Sequence, residues 1–163
     1  MKKTIILSSS LSLMVMVMLT CGCKKSTSNL SESWNWKGTN YTSTSCAVST
    51  DSDANYGRNS SLSVQSGSNT LQVIFFGPFP TSSCIDTVAA WGTTGDVNQV
   101  TISLTSGANT YQSTGGNGYN QTVNVTVKNG VVSVSAPSTN PAELLNIASA
   151  STDSAGVYFS IVQ

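Results

Sequence analysis

Acid–base chemistry in this chain would have to come from seven carboxylates, because the sequence contains no histidine. They are Glu32, Asp51, Asp53, Asp86, Asp96, Glu143 and Asp153. Without an imidazole, Ser-His-Asp and Cys-His nucleophilic arrangements are excluded as usually built. Histidine-ligated zinc sites are excluded as well. A glycosidase-type hydrolase needs two carboxylates facing each other across a cleft. No spacing among the seven demands such a pair, so a small carboxylate-based hydrolase stands as an alternative only the fold could assemble. The expectation is a chain that is not an enzyme, with no catalytic residue, no metal site and no cofactor.

Asp51-Ser52-Asp53-Ala54-Asn55 places oxygen ligands at alternate positions, as the start of a calcium loop does. The glycine is Gly57, one position late, and Leu62 stands where a bidentate Glu belongs. A polar turn using Asp and Asn for local hydrogen bonds accounts for the same residues. Cys46 and Cys84 lack the Cys-x-x-Cys spacing of a redox pair. In an exported chain a disulfide between them is the default. The loop it closes is worth roughly 4 kcal/mol in the chain-entropy model. Aromatic residues supply a binding alternative. Trp34, Trp36 and Tyr119 are candidates for a flat sugar-stacking platform, against the competing expectation that tryptophans fill the core. Tyr56, Trp91 and Tyr111 are further members of this aromatic set.

The N-terminus supplies the address. Lys2 and Lys3 precede an apolar run from Ile5 to Leu19, interrupted by Ser8, Ser9, Ser10 and Ser12. That run is too short for a comfortable span, which needs about 20 apolar residues. Its length and flanks fit a cleaved secretory signal. The segment Leu19-Thr20-Cys21-Gly22-Cys23 resembles the lipobox of bacterial lipoproteins. The resemblance implies cleavage before a cysteine that carries diacylglycerol, here Cys23, with Cys21 as rival acceptor. It divides the chain into a signal peptide (1–22), a polar tether (23–32) and a domain (33–163). Two or three acyl chains would hold that domain at a membrane.

Composition fits an exported domain. The 163 residues suggest one domain, and about 140 remain after the leader, enough for one hydrophobic core. Charged residues are 9% of the chain. Beyond the leader, Lys24, Lys25, Lys37, Arg58 and Lys128 stand against the seven acidic groups, five against seven, a net of −2. No basic stripe exists, so nucleic acid is not an expected partner. Ser and Thr make up roughly thirty per cent of the mature chain, well above ordinary usage. Hydroxyls, not charges, hydrate its surface.

Alternation predicts strands around Trp34 and Trp36, Tyr41 to Ser49, Leu62 and Val64, and Thr70 to Phe76. It continues at Val100 to Leu104, Thr110 to Ser113, Val123 to Val127, Val132 and Val134, and Val157 to Ile161. Lys37-Gly38, Ser66-Gly67, Ser106-Gly107 and Asn129-Gly130 are turn signals. Gly77-Pro78-Phe79-Pro80 should end a strand. Asn140-Pro141-Ala142-Glu143 has the form of a helix start, with a cap and a first-position proline, and a short helix or turn is expected there. The segment 81–95 has no clear period. The fold expected is all-β, an antiparallel β-sandwich or barrel of about eight or nine strands.

Cys23-Lys24-Lys25, Trp36-x-Gly38-x-x-Tyr41, Tyr111, Tyr119 and Val123-x-Val125-x-Val127-x-x-Gly130 resemble the small β-rich lipoproteins of Bacteroidota, many of which contain domains of unknown function. The resemblance implies a cell-envelope protein, lipid-anchored to the outer membrane on its periplasmic face or the cell surface. Its partners would be the membrane through the N-terminal lipid (palmitate among its acyl groups), with a glycan or an envelope protein as ligand, and the protein would be a monomer. The expected function is a non-enzymatic binding or structural module. The alternatives are a carbohydrate-binding module accessory to glycan uptake and the small hydrolase. Asp86-Thr87-Val88 and Asp153-Ser154-Ala155 also resemble Bacteroidota O-glycosylation sites.

Overall fold

A computed structural model describes residues 32–53, 57–91, 96–114, 121–148 and 153–163, with the side chains of 51–53, 57 and 58 left aside. The leader, Cys21, Cys23, most of the tether, Tyr56 and Tyr119 lie outside the described residues, as do Ala54 and Asn55 of the supposed calcium loop.

The domain is all-β. Its strands are β1 (Ser33–Trp36), β2 (Thr39–Thr42), β3 (Ser45–Asp53), β4 (Gly57–Ser66), β5 (Asn69–Phe76) and β6 (Cys84–Val88). They continue as β7 (Gln99–Ser106), β8 (Asn109–Ser113), β9 (Thr122–Lys128), β10 (Val131–Ala136), β11 (Ala142–Asn146) and β12 (Ser154–Val162). The spatial order is β2-β1-β12-β10-β9-β6-β7-β5-β4-β3, and β11 and β8 bridge β12 to β7. So β12, β10, β9, β6, β7, β8 and β11 close a ring.

Two-residue loops set four hairpins, and glycine supplies the backbone each needs. Lys37-Gly38 and Asn129-Gly130 have positive φ at both positions (49° and 80°, 54° and 76°), the requirement of a type I′ turn. Gly67 and Gly107 carry positive φ at the first loop position. β5 ends at Phe76, just before Gly77-Pro78. Phe79 then turns back edge-on to Phe75, with ring centroids 5.6 Å apart.

The inner face carries the expected alternation. Val157, Phe159 and Ile161 of β12 lie beside Trp36 and Trp34 of β1 on one side and Ala136 and Val134 of β10 on the other. Leu62 and Val64, Leu71 and Val73, and Ile102 and Leu104 continue it across β4, β5 and β7, all essentially solvent-free.

The ring closes because two strands each divide one edge between two partners. Val157 and Phe159 pair with β1 across one edge of β12. Across the other edge, Ser154–Val157 pair with β11 and Phe159–Val162 with β10. β7 does the same: β5 covers one edge, while β6 meets Gln99 and Val100 and β8 meets Ser103–Ser106 on the other. The β6–β7 pairing is parallel, a departure from the purely antiparallel expectation. At the handover Ile102 has no strand partner for its N–H. The buried Ser113 hydroxyl accepts it at 3.1 Å and donates to Ala89 O at 2.7 Å. The buried Gln121 makes a second stitch, its Oε1 accepting from Glu143 N at 3.0 Å and its carbonyl accepting from Val88 N at 2.9 Å.

Three expectations are corrected. The short helix or turn expected at 140–143 is a turn at Pro137–Asn140 that leads straight into β11 and forms no helix; there Ala142, Leu144 and Asn146 are buried at a period of two. Pairing to β12 and β8 together outweighs the local cap signal. Gly156 permits that approach, because a Cβ there would lie 2.8 Å from Pro141 Cγ. The described residues form twelve strands: β11 and β6 are added, and Tyr41–Ser49 divides into β2 and β3.

The Cys46–Cys84 disulfide is not formed, because Cys84 carries a free thiol. Both cysteines pack against the core. Along the sheet, however, β7, β5 and β4 stand between β6 and β3, and a bridge needs Cα atoms within about 7 Å. Burial, and then the neighbouring Asp86 carboxylate, push the Cys84 thiol up to about 11. An ordinary cysteine sits near 8.5.

Two measurements follow from the packing. Ser113→Ala strands the buried Ile102 N–H and should cost about 1–3 kcal/mol, read as a lower urea midpoint at unchanged slope. Iodoacetamide should label Cys84 roughly a hundredfold more slowly in native protein than in urea at neutral pH, following its thiolate fraction. A Cys46–Cys84 peptide in a non-reducing digest would contradict the free thiol.

Candidate functional site

The described carboxylates sit at several separate places along the fold. Asp86 points inward from β6, 3% exposed, with Oδ1 lacking a hydrogen bond. Glu143 lies on β11, Asp96 precedes β7, Glu32 precedes β1 and Asp153 precedes β12. Asp51 and Asp53 sit on the last residues of β3, paired with Asn59 and Gly57, so the start of the supposed calcium loop is extended strand. No three Cys, Asp or Glu groups gather as metal ligands among the described residues.

Asp153 has a local task. Lys37, at the positive-φ corner of the β1–β2 turn, forms an ion pair with Asp153 Oδ1. Asp153 Oδ2 accepts from Tyr111 Oη at 2.9 Å and Asn146 Nδ2 at 3.1 Å. Lys37 Nζ lies 4.8 Å from the Tyr111 ring centroid and 5.4 Å from that of Trp36. The two rings meet edge-on at 4.7 Å. The network clasps the β1–β2 turn to β8, β11 and the start of β12.

Trp34 and Trp36 are core residues, 2% and 3% exposed, which corrects their reading as a stacking platform. Trp34 stacks on Tyr41 at 5.3 Å, and Trp36 meets Tyr111 edge-on. Tyr119, the third residue of that reading, lies outside the described residues. Trp91 is 39% exposed beside the Ala90–Thr114 bridge. Thr87 and Ser154, the hydroxyls of the two O-glycosylation-like motifs, are both exposed.

A different aromatic sits over a groove. Residues 157, 159 and 161 face the core, so Tyr158 faces out. Strand register aligns Asn40, Asn35 and Tyr158 in one row across β2, β1 and β12. The next row is Ser33, Ser160 and Ser135 across β1, β12 and β10. Tyr158 lies where β12 changes partner, so Pro137 and Ser138, just past the end of β10, flank it in place of a paired strand. The resulting groove holds about 320 Å³, and no charged residue lines it among the described residues.

Asn35 is 8% exposed and its Nδ2 donates to Asn40 Oδ1 at 2.6 Å. Asn35 Oδ1 remains as an acceptor and Asn40 Nδ2 as a donor. Tyr158 is 38% exposed and adds an aromatic face. This site escaped sequence reading although its signal was present, because the alternation Val157-x-Phe159-x-Ile161 already puts Tyr158 on the solvent face.

The Lys37–Asp153 clasp has a pH signature. Lys37, then Asn146 and Tyr111, lower the Asp153 carboxyl to about 2. The same carboxylate raises Lys37 above its ordinary value. A depressed carboxyl contributes stability that is complete above its unfolded pKa, about 3.9, and is lost as pH falls toward the folded one. The lysine contribution holds below about 10.4 and is lost at higher pH. The urea midpoint of Asp153→Asn should therefore fall below wild type by a constant amount between pH 5 and 9. The gap should narrow below about pH 4 and close as pH falls through about 2.

Comparison with protein-family models, with curated proteins and with solved structures finds no match for this chain.

Proposed function

We propose that this chain is a cell-envelope lipoprotein, anchored through Cys23, whose β domain is a non-enzymatic binding module. The observation that carries the binding part is the groove over β1, β12 and β10. It is lined by two asparagines, four serines and Tyr158 together with the apolar Trp34, Ala136, Pro137 and Phe159. General acid–base catalysis needs an acid or base within reach of substrate, and no carboxylate, lysine or arginine is among the described residues that line the groove. The described carboxylates are placed elsewhere on separate elements, which weighs against the small-hydrolase alternative.

The anchoring part rests on the leader. Lys2-Lys3, the short apolar run and Leu19-Thr20-Cys21-Gly22-Cys23 support export and lipidation. The low charge and the hydroxyl-rich composition suit a domain held in the envelope, on the periplasmic or the outer face of the outer membrane.

Metabolic labelling with a palmitate analogue tests the anchor. Wild type and Cys21→Ala should incorporate label and, with globomycin, accumulate the uncleaved precursor, while Cys23→Ala should incorporate none. An unlabelled wild type would make the protein freely secreted and remove the membrane from its function.

A further inference from the structure

We infer that the groove over β1, β12 and β10 binds a neutral sugar ring, with the Tyr158 face as its stacking surface and the Asn35–Asn40 amide pair as its hydroxyl reader. The inference rests on the reading of the domain as a binding module and adds the ligand class and the residues that select it.

Three observations point to this class. The first is charge: among the described residues, no Lys, Arg, Asp or Glu lines the groove. An anionic or cationic ligand would give up hydration there with no opposite charge to meet. A polyol exchanges water for directional hydrogen bonds without that penalty.

The second is donor and acceptor order. The 2.6 Å bond from Asn35 Nδ2 to Asn40 Oδ1 fixes both amides. Asn35 Oδ1 and Asn40 Nδ2 then add an acceptor and a donor to the groove that both residues line. Adjacent hydroxyls of a sugar ring donate and accept in turn, so one vicinal pair satisfies both amides. Ser33, Ser135 and Ser160, in the neighbouring row, can each donate or accept.

The third is shape. Tyr158 is 38% exposed, and its aromatic face offers contact area to the C–H face of a sugar. A space of about 320 Å³ lies at the small end for ligand pockets. It suits one or two rings at the end of a glycan and is small for a folded partner.

The test uses the full chain purified from membranes in a zwitterionic detergent, because glycoside detergents would themselves compete. Calorimetric titration is run with neutral hexose and N-acetylhexosamine oligosaccharides and with matched uronic-acid oligosaccharides. A neutral oligosaccharide should bind. Tyr158→Ala should weaken it at least tenfold and Asn40→Ala several-fold, while Tyr158→Phe should stay within about threefold. Tyr158→Phe keeps the ring and guards against loss by misfolding, and each variant is checked for an unchanged thermal midpoint.

No binding by any neutral oligosaccharide, or binding by the acidic set alone, would overturn the inference. Neutral binding that ignores Tyr158 and Asn40 would also overturn it, yet would leave a binding module in place. Mass analysis of the titrated sugar separates the remaining case: a shortened oligosaccharide would remove the non-enzymatic reading itself.

Discussion

Two residues, Ser43 and Thr44, constrain the whole domain. They join β2 to β3, which stand at opposite ends of the strand path. Three Cα steps from Thr42 to Ser45 span at most about 11 Å. A flat row of ten strands at about 4.8 Å spacing would put its ends some 40 Å apart. The sheet must therefore curl until its first and last strands meet at this corner. Hydrogen bonds fix the corner from both sides: Ser43 N donates to Glu32 O, and Thr44 N donates to Gln65 O, both at 2.8 Å. The Thr44 hydroxyl adds a second bond to the same Gln65 carbonyl at 3.0 Å. The curl turns the Trp34, Val157, Leu62 and Ile102 faces toward one interior, and that interior is the core.

Curling alone does not close the ring of β12, β10, β9, β6, β7, β8 and β11. Closure needs β12 and β7 to change partners partway along one edge. A partner change orphans backbone groups, and a buried orphan N–H costs about as much as a lost hydrogen bond. The domain meets that cost with short polar side chains. Ser113 serves Ile102 N and Ala89 O, and Gln121 links β6 to β11. This gives part of the Ser-rich composition a structural reason. A hydroxyl is small enough to sit in a core seam and can both donate and accept.

The legible parts of the fold are those with local causes. Alternating Val, Ile and Leu marked the strands that face the core. Glycine marked the hairpins, because positive φ at Gly38, Gly67, Gly107 and Gly130 is a requirement of the turn itself. What stayed hidden is non-local. β6 is read only against β9 and β7, since Cys84, Asp86 and Val88 alternate inward with polar atoms among them. β11 carries a helix-like opening and becomes a strand because two neighbours need its backbone. The missing Cys46–Cys84 bridge has the same origin, since pairing depends on which strands come between, and composition is silent on that. At the site, burial of Trp34 and Trp36 follows from their shared inward face, while the importance of Tyr158 depends on where β10 ends.

The partner change that closes the fold also makes the groove, and this bears on how rigid the groove is. Tyr158 lies one residue past the last β11 pair at Val157 and one before the first β10 pair at Phe159. Its backbone is held across the other edge by Asn35. Asn35 is itself held by Asn40 through both strand pairing and the amide bond. The groove therefore stands on paired strands, with the short Pro137–Ser138 segment as its one rim outside them. Pro137 has a fixed φ, and its carbonyl accepts from Asn140 N at 3.0 Å, so that rim is a tight turn. Ordering loops and side chains is a main cost of association. A groove already ordered by the closure of the sheet avoids much of that cost. An uncharged surface that relies on directional hydrogen bonds needs such order, because long-range attraction contributes little to its binding.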